Sequence, residues 1–202
     1  LRGLDFYEAE GHFVGDHTME AAGVRIEGER FFIATGSRPL LPTIPGLETV
    51  DYLTTETLLA LTSCPRSIAI IGGGYIGVEY AHFFAAMGTS VTLIEAAERL
   101  VPGEEPEVAA LLKHALRKRM QVLTDISIEQ IVRGPRDIRL LVKERRSGAR
   151  FAVTVDTVMV ATGRRSNADL LQVDRTGVHT DERGFVTVND AMETNVPGIY
   201  AV

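Results

Sequence analysis

The sequence predicts an α/β fold: a parallel sheet with an inserted β-meander, flanked on both sides by β-rich segments. Three observations predict it. A compact apolar run, Ser67 to Ile71, leads through a glycine-rich turn into a helical pattern and then a second apolar run, Val91 to Glu95. That is β-α-β within about thirty residues, the beginning of a Rossmann-like unit. Beyond a third strand at Gln121 to Leu123, three alternating runs, Ile126 to Val132, Ile138 to Val142 and Phe151 to Val155, follow with no helix between them, so a meander replaces the expected crossover helix. Residues 1–45 and 163–202 are short alternating runs between glycine turns.

The elements follow in order. Runs around Phe6 to Phe13, Thr18 to Ala21, Val24 to Glu27 and Arg30 to Ala34 read as strands, with Gly11, Gly15, Gly23 and Gly28 at the turns. Pro39, Pro42 and Pro45, completed by Gly46, mark a crossing between domains near residue 45. A short helix is expected from Thr54, capped by Thr55, with Leu58, Leu59 and Leu61 as its apolar side, ending at Cys64-Pro65. Tyr75 to Met87 reads as a helix in which Ile76, Tyr80, Phe83, Phe84 and Met87 form the buried stripe, and Gly88 ends it. The next helix has Glu104, Glu105 and Glu107 around Pro106 at its start and Lys113 to Arg119 at its end, the order the peptide dipole favours. Val108, Leu111, Leu112, Ala115 and Leu116 are its expected core face. Val158 to Ala161, Phe185 to Val188 and Ile199 to Val202 complete the strands. The expected domains are 1–45, 46–162 and 163–202, the last returning to the first.

Composition bounds the function classes. The 202 residues are 45% hydrophobic and 24% charged, an ordinary globular balance rather than a disordered one. Cys64 is the single cysteine, so this chain can form no intrachain disulfide, redox dithiol or Cys-rich zinc site. A net charge of −6, with Lys and Arg dispersed apart from the Lys113–Arg119 cluster, argues against a nucleic-acid partner. No apolar run approaches the eighteen or so residues of a membrane span, and the first residues lack a basic region followed by an apolar core. A cytoplasmic protein is expected. The chain starts without methionine and stops inside a strand pattern, so it is expected to be a piece of a longer protein.

Gly72, Gly74 and Gly77 match G-x-G-x-x-G after a strand and at the opening of a helix, with Glu95 at the end of the next strand. Gly72 permits the tight turn, Gly74 lets backbone approach a pyrophosphate, and Gly77 lets the helix sit close on the sheet, a small face that Ala81 and Ala85 extend. The helix start then offers N–H groups and a partial positive charge to a dinucleotide. Glu95 is placed to accept ribose hydroxyls and to repel a 2′-phosphate. At about 5 Å and an effective dielectric of about 20, each like pair costs roughly 3 kcal/mol, so NAD is expected over NADP. Arg99 is either a phosphate neutraliser or a loop arginine pairing with Glu98 or Glu95. Tyr75 and Glu79, at i and i+4, either cover and orient a nicotinamide or serve as a packing aromatic and a helix-start acid. His12, His17, His82, His114 and His179 show no metal spacing, and no metal site is expected.

Four motifs, Ala34-Thr35-Gly36-Ser37-Arg38-Pro39, Gly72 to Glu79, Ala161-Thr162-Gly163-Arg164-Arg165-Ser166-Asn167 and Thr194 to Ala201, make essentially the whole chain resemble the pyridine nucleotide-disulfide oxidoreductases, most of all the dihydrolipoamide dehydrogenase branch. The resemblance implies an NAD domain inserted in an FAD domain, and hydride exchange between NAD(H) and flavin in the intact enzyme. Carried over by position, Gly72, Gly73, Gly74, Tyr75, Ile76, Gly77, Glu79, Glu95, Ile126 and Gly163 match NAD contacts. Gly11, Thr35, Gly36 and Ser37 match FAD contacts. Tyr75 matches the tyrosine that shields the flavin until nicotinamide displaces it. The intact protein is expected to be a homodimer.

The departures are as informative. The family's own FAD glycine loop, its Cys-x-x-x-x-Cys disulfide and its C-terminal dimer domain with a His–Glu pair have no counterpart in these residues, and Ser166 stands where the family commonly has proline. No catalytic residue is therefore expected in this chain, which alone should be inactive as a disulfide reductase and hold FAD weakly. Two other readings stay open: a flavoprotein without a disulfide, of the NADH oxidase or ferredoxin-reductase kind, and a non-catalytic NAD-binding module.

Overall fold

The computed structural model describes residues 3–202; Leu1 and Arg2, the start of the segment read for a leader pattern, lie outside the described residues. The chain folds as two compact units. The outer one comprises the chain up to Arg38 together with Arg164–Val202, and the inner one is Pro39–Gly163. Ile44 packs against the inner core and the Ile131 N–H donates to the Pro45 carbonyl at 2.8 Å, so the proline-rich crossing travels with the inner unit.

In chain order the outer unit opens with β1 (Gly11–Gly15), β2 (Thr18–Ala21), β3 (Val24–Glu27), β4 (Phe31–Ile33) and β5 (Ser37–Pro39). The inner unit supplies β6 (Tyr52–Leu53), β7 (Ser67–Ile71), α1 (Tyr75–Ala86), β8 (Ser90–Ile94), α2 (Pro106–Leu116), β9 (Gln121–Leu123), β10 (Ile126–Arg133), β11 (Ile138–Glu144), β12 (Arg150–Val155) and β13 (Thr157–Val160). The chain returns outward with β14 (Arg164–Ser166) and β15 (Ile199–Ala201).

The inner unit is the expected α/β body. Its parallel sheet runs β6-β13-β7-β8-β9, and β10-β11-β12 form the antiparallel meander. Side chains alternate across a strand, so β7 divides its residues between two faces. Ile68 and Ile70 join α1 and α2 in one core through Ala81, Phe84, Ala109 and Leu116. Ala69 and Ile71 join the meander in another through Ile131, Leu140, Val142 and Val153. The meander thus covers the face that a crossover helix covers in a simpler Rossmann-like sheet.

Both helices bury only part of the stripe periodicity selected, Phe84 in α1 and Leu116 in α2. In α1 the fully buried residues are Gly77, Ala81 and Phe84, while Phe83 and Met87 are 47% and 59% exposed and Ile76 and Tyr80 only partly covered. The helix lies so close to the sheet that small residues occupy the contact line, which displaces the larger side chains to its flanks. In α2 the buried line is Ala109 and Leu116, with Leu112 partly covered, whereas Val108, Leu111 and Ala115 are exposed. Pro106 opens α2, with Glu107 in its first turn and Lys113 and His114 in its last.

Three further elements differ. The run read as a strand around Phe6 to Phe13 is a strand only over Gly11–Gly15, where Gly11 and Phe13 find partners in Ala21 and Met19, so Gly11 and Gly15 lie within β1 rather than at turns. The helix expected from Thr54 is a single 3₁₀ turn, Leu58–Ala60. Thr57 Oγ1 accepts the Thr54 N–H at 2.9 Å, and Thr54 Oγ1 accepts the Glu56 N–H at 3.2 Å, so hydroxyls compete with helical bonds there. The strand expected at Phe185 to Val188 is reduced to one bridge, Thr180 to Val186, because the Asp181 carboxylate gathers the Arg183 and Phe185 N–H groups, both at 2.8 Å, into a turn. In the outer unit β1-β2-β3 form a meander, β15 pairs in parallel with β4, and Phe13, Ile33, Leu171 and Ile199 centre the core. No helix among the described residues is long and apolar enough to cross a membrane.

Candidate functional site

The glycine loop starts where β7 ends. Gly72 has φ +110°, and a Cβ there would lie 2.3 Å from the Ala161 carbonyl oxygen, so no other residue fits. Its N–H donates to the Ile94 carbonyl at 2.8 Å, which locks the turn to β8. A Cβ on Gly77 would lie 1.8 Å from the Gly72 carbonyl oxygen: here the first turn of α1 rests directly on the loop. Gly74 is the opposite case. Its φ is −73°, and nothing lies within 4 Å of the position its Cβ would take.

No side chain caps the start of α1. The first amides of a helix have no partner within it, and the aligned peptides place roughly half a positive charge there. An uncapped helix start behind a glycine that opens onto free space fits a dinucleotide pyrophosphate.

Glu95 is held by the loop it faces. Its Oε2 accepts the Gly73 N–H at 2.5 Å and its Oε1 accepts the Ala97 N–H at 2.7 Å. Each oxygen therefore has a backbone donor before any ribose hydroxyl arrives, and the lone pairs that remain are the ones free to accept one. Gly72, Glu95 and Ile126 come together around a cavity of about 340 Å³, with Ile71 and Ile94 as apolar wall. It sits at the carboxyl ends of β7 and β8, where sheets of this kind bind ligands. Thr162 and Arg145 also line it. Sequence reasoning missed both: Thr162 stands inside a motif already noted, but Arg145 comes from the β11–β12 hairpin and carries no local signal.

Of the other expected NAD contacts, Gly73, Gly74, Tyr75, Ile76, Gly77, Glu79 and Gly163 are not in that wall. Tyr75 is 60% exposed, and its hydroxyl donates to the Glu104 carboxylate in the turn before α2 rather than facing Glu79. That hydrogen bond first, and the charge of Glu104 second, raise the phenol above its ordinary pKa. Gly163 turns with φ +127°, and its carbonyl accepts the Leu40 N–H at 3.0 Å.

In the outer unit Thr35, Gly36 and Ser37 line a second cavity, of about 360 Å³, together with Ser166 and Ala168. Arg164 Nε donates to Ser37 Oγ at 2.6 Å, and the Asn167 side chain donates to the Thr35 carbonyl at 2.9 Å. Arg38 forms a bidentate pair with Asp169 at 2.9 and 2.7 Å and also reaches the Ser166 carbonyl at 2.8 Å. The Arg38 hydrogen bond draws the Asp169 carboxyl down to about 2. Gly11 lies apart from this cavity, on β1 opposite Ala21.

The whole of residues 1–202 matches the family model described as pyridine nucleotide-disulphide oxidoreductase. The chain belongs to that family. Its members use FAD and NAD(P) as cofactors. Among curated relatives, a mercuric reductase of Staphylococcus aureus is 33% identical over 98% of this chain and 36% of its own length. A dihydrolipoyl dehydrogenase of Thermus scotoductus is 35% identical over 94% of this chain and 41% of its own. A solved Cu(II) complex of the HOCl-induced flavoprotein disulfide reductase RclA from Escherichia coli superposes with a TM-score of 0.84 at 30% identity, covering 96% of this chain and 44% of that one. The chain spans less than half the length of these relatives. Mercuric reductase and RclA stand as near as the dihydrolipoamide dehydrogenase branch that the motifs pointed to, so similarity selects the family and not one member.

Proposed function

We propose that this chain is the NAD(H)-binding portion of an FAD-dependent disulfide oxidoreductase, with flanking pieces of the FAD domain, and that it seats NAD(H) for hydride exchange with flavin in the intact protein. The observation that carries the reading is the convergence of Gly72, Glu95 and Ile126 on one cavity, Gly72 opening the loop that leads into the uncapped start of α1. When bound, the nicotinamide supplies the hydride chemistry; the chain supplies position and charge. The α1 amides hold the pyrophosphate, the free lone pairs of Glu95 take ribose hydroxyls, and the apolar wall of Ile71, Ile94 and Ile126 excludes water. Thr35, Gly36 and Ser37, with their donors Arg164 and Asn167, form the part of the flavin seat that this chain contributes. The intact protein is proposed to be an FAD- and NAD-dependent disulfide oxidoreductase, a class of which the dihydrolipoamide dehydrogenase branch is one member, and to be a homodimer.

Calorimetric titration of this chain with NAD and with NADP tests the reading. NAD should bind the more tightly, and Glu95→Arg should shift preference toward NADP by tenfold or more. Equal affinities in the unmutated chain would refute the role given to Glu95, and no binding of either nucleotide would refute the site.

A further inference from the structure

A second cavity of the inner unit, about 500 Å³, is walled by cations from three separate segments. Arg99 comes from the loop after β8, Lys113 from the last turn of α2 and Arg117 from its C-cap, and Arg146 from the β11–β12 hairpin. Three acids also line it: Glu98, Asp125 and Glu144. Each already has a donor. Glu98 takes the Arg146 guanidinium at 2.6 Å, Asp125 accepts the Arg146 N–H at 3.1 Å, and Glu144 accepts the Ser147 hydroxyl.

Among the described residues, Arg99, Lys113 and Arg117 have no ion-pair partner. Lys113 Nζ donates to Thr124 Oγ1 at 2.5 Å, which fixes the ammonium at the cavity wall. Burial first, and the like charge of Arg117 second, hold that ammonium below the ordinary lysine range. Lys113 and Arg117 stand at i and i+4, a repulsive pair on one helix face. The C-terminal end of α2 favours both cations, but Arg99 belongs to another segment, and the helix dipole gives no reason for it to join them. The lining holds four cations against three carboxylates, an excess of one positive charge on a chain of net charge −6, and Arg99, Lys113 and Arg117 are the cations left without a carboxylate in contact among the described residues.

We propose that this cavity is a second anion site, distinct from the dinucleotide cavity, which takes a phosphate-bearing small molecule. Arg99 and Arg117 supply planar, fork-like donors that match phosphate oxygens, and Lys113, held by Thr124, supplies a point charge. Ile126 lines both cavities, so the new site abuts the adenosine end of the proposed dinucleotide seat without sharing its glycine loop.

The test is a calorimetric titration of this chain with inorganic pyrophosphate, with and without saturating NAD. Pyrophosphate should still bind when NAD is present, and the Arg99→Gln/Arg117→Gln double variant, altered at two exposed positions, should bind it at least tenfold more weakly with unchanged thermal midpoint and NAD affinity. Loss of all pyrophosphate binding on NAD saturation would place the anion at the glycine loop and overturn the proposal. Unchanged pyrophosphate affinity in the double variant would overturn it as well. Failure of the dinucleotide reading shows separately in the NAD titration, and the comparison of wild type with double variant still decides the second site.

Discussion

The Gly72–Gly77 loop of the inner unit and the Thr35–Ser37 loop of the outer unit are both strand-end turns that line a cavity, and they are built by opposite means. The first is shaped by backbone: Gly72 and Gly77 are fixed by contacts with carbonyl oxygens, and the loop is bonded to the neighbouring strand. The second is shaped by side chains. Arg164 and Asn167 reach the loop from positions far along the chain through hydrogen bonds, and Asp169 reaches the adjoining Arg38 through a bidentate ion pair. Steric shaping is insensitive to pH and salt, whereas charge-assisted shaping depends on both.

Gly77→Ala breaks the backbone-built side of this contrast and should have the largest effect. In an exposed helix interior the same change stabilises by about 1 kcal/mol. Here a Cβ 1.8 Å from a carbonyl oxygen must push α1 off the loop, so a loss on the order of 3 kcal/mol is expected in urea unfolding, together with loss of NAD binding.

Acid should act on the side-chain-built side. The Asp169 carboxyl is held at about 2, below its ordinary value of 3.8, so its ionised form stabilises the fold. That contribution is complete above the ordinary value and is lost as pH falls through the lowered one. Near-ultraviolet circular dichroism followed down in pH should show the outer-unit aromatics, Phe32 stacked on Tyr200 among them, loosening within that window. Asp169→Asn should remove this part of the pH dependence, and an acid profile identical to wild type would show that the ion pair does not hold the loop.

Gly74→Ala sharpens the comparison within the glycine loop itself. At φ −73° with open space around it, alanine fits, and stability should change by no more than about 1 kcal/mol. NAD affinity should fall nonetheless, because the added methyl occupies the proposed pyrophosphate seat; wild-type affinity would remove the pyrophosphate from this position. The smallest expected change is at Tyr75. Glu104→Gln should leave stability nearly unaltered and return the phenol titration, read by ultraviolet absorbance, toward its ordinary range.

Much of the inner unit was legible along the chain because its signals are local. Strand, glycine turn, helix and acid follow one another from Ser67 to Glu95, and the meander shows as alternation without helices. The buried stripes of α1 and α2 were legible in part: Phe84, Leu116 and the small face of Gly77 and Ala81 were marked, but periodicity ranks residues by hydrophobicity and also selected Phe83, Met87, Val108 and Leu111. What decides burial in α1 is how closely the helix approaches the sheet, and there Gly77 and Ala81 take precedence over Phe83 and Met87. The Thr54 helix and the Phe185 strand failed for a related reason: side-chain oxygens of Thr54, Thr57 and Asp181 capture backbone amides that regular structure would have used.

By itself the sequence determined the α/β class, most of the inner strands in their succession along the chain, the glycine loop with its acid, and the family. Each of these is written in contiguous residues whose spacing answers to the geometry of a strand or a helix. Only the tertiary structure decided that Arg145 and Thr162 wall the cavity with Glu95, that Tyr75 turns to Glu104, and that Arg99 meets Lys113 and Arg117. Those meetings join segments set side by side by sheet order and by the packing of the meander, and no local spacing records them.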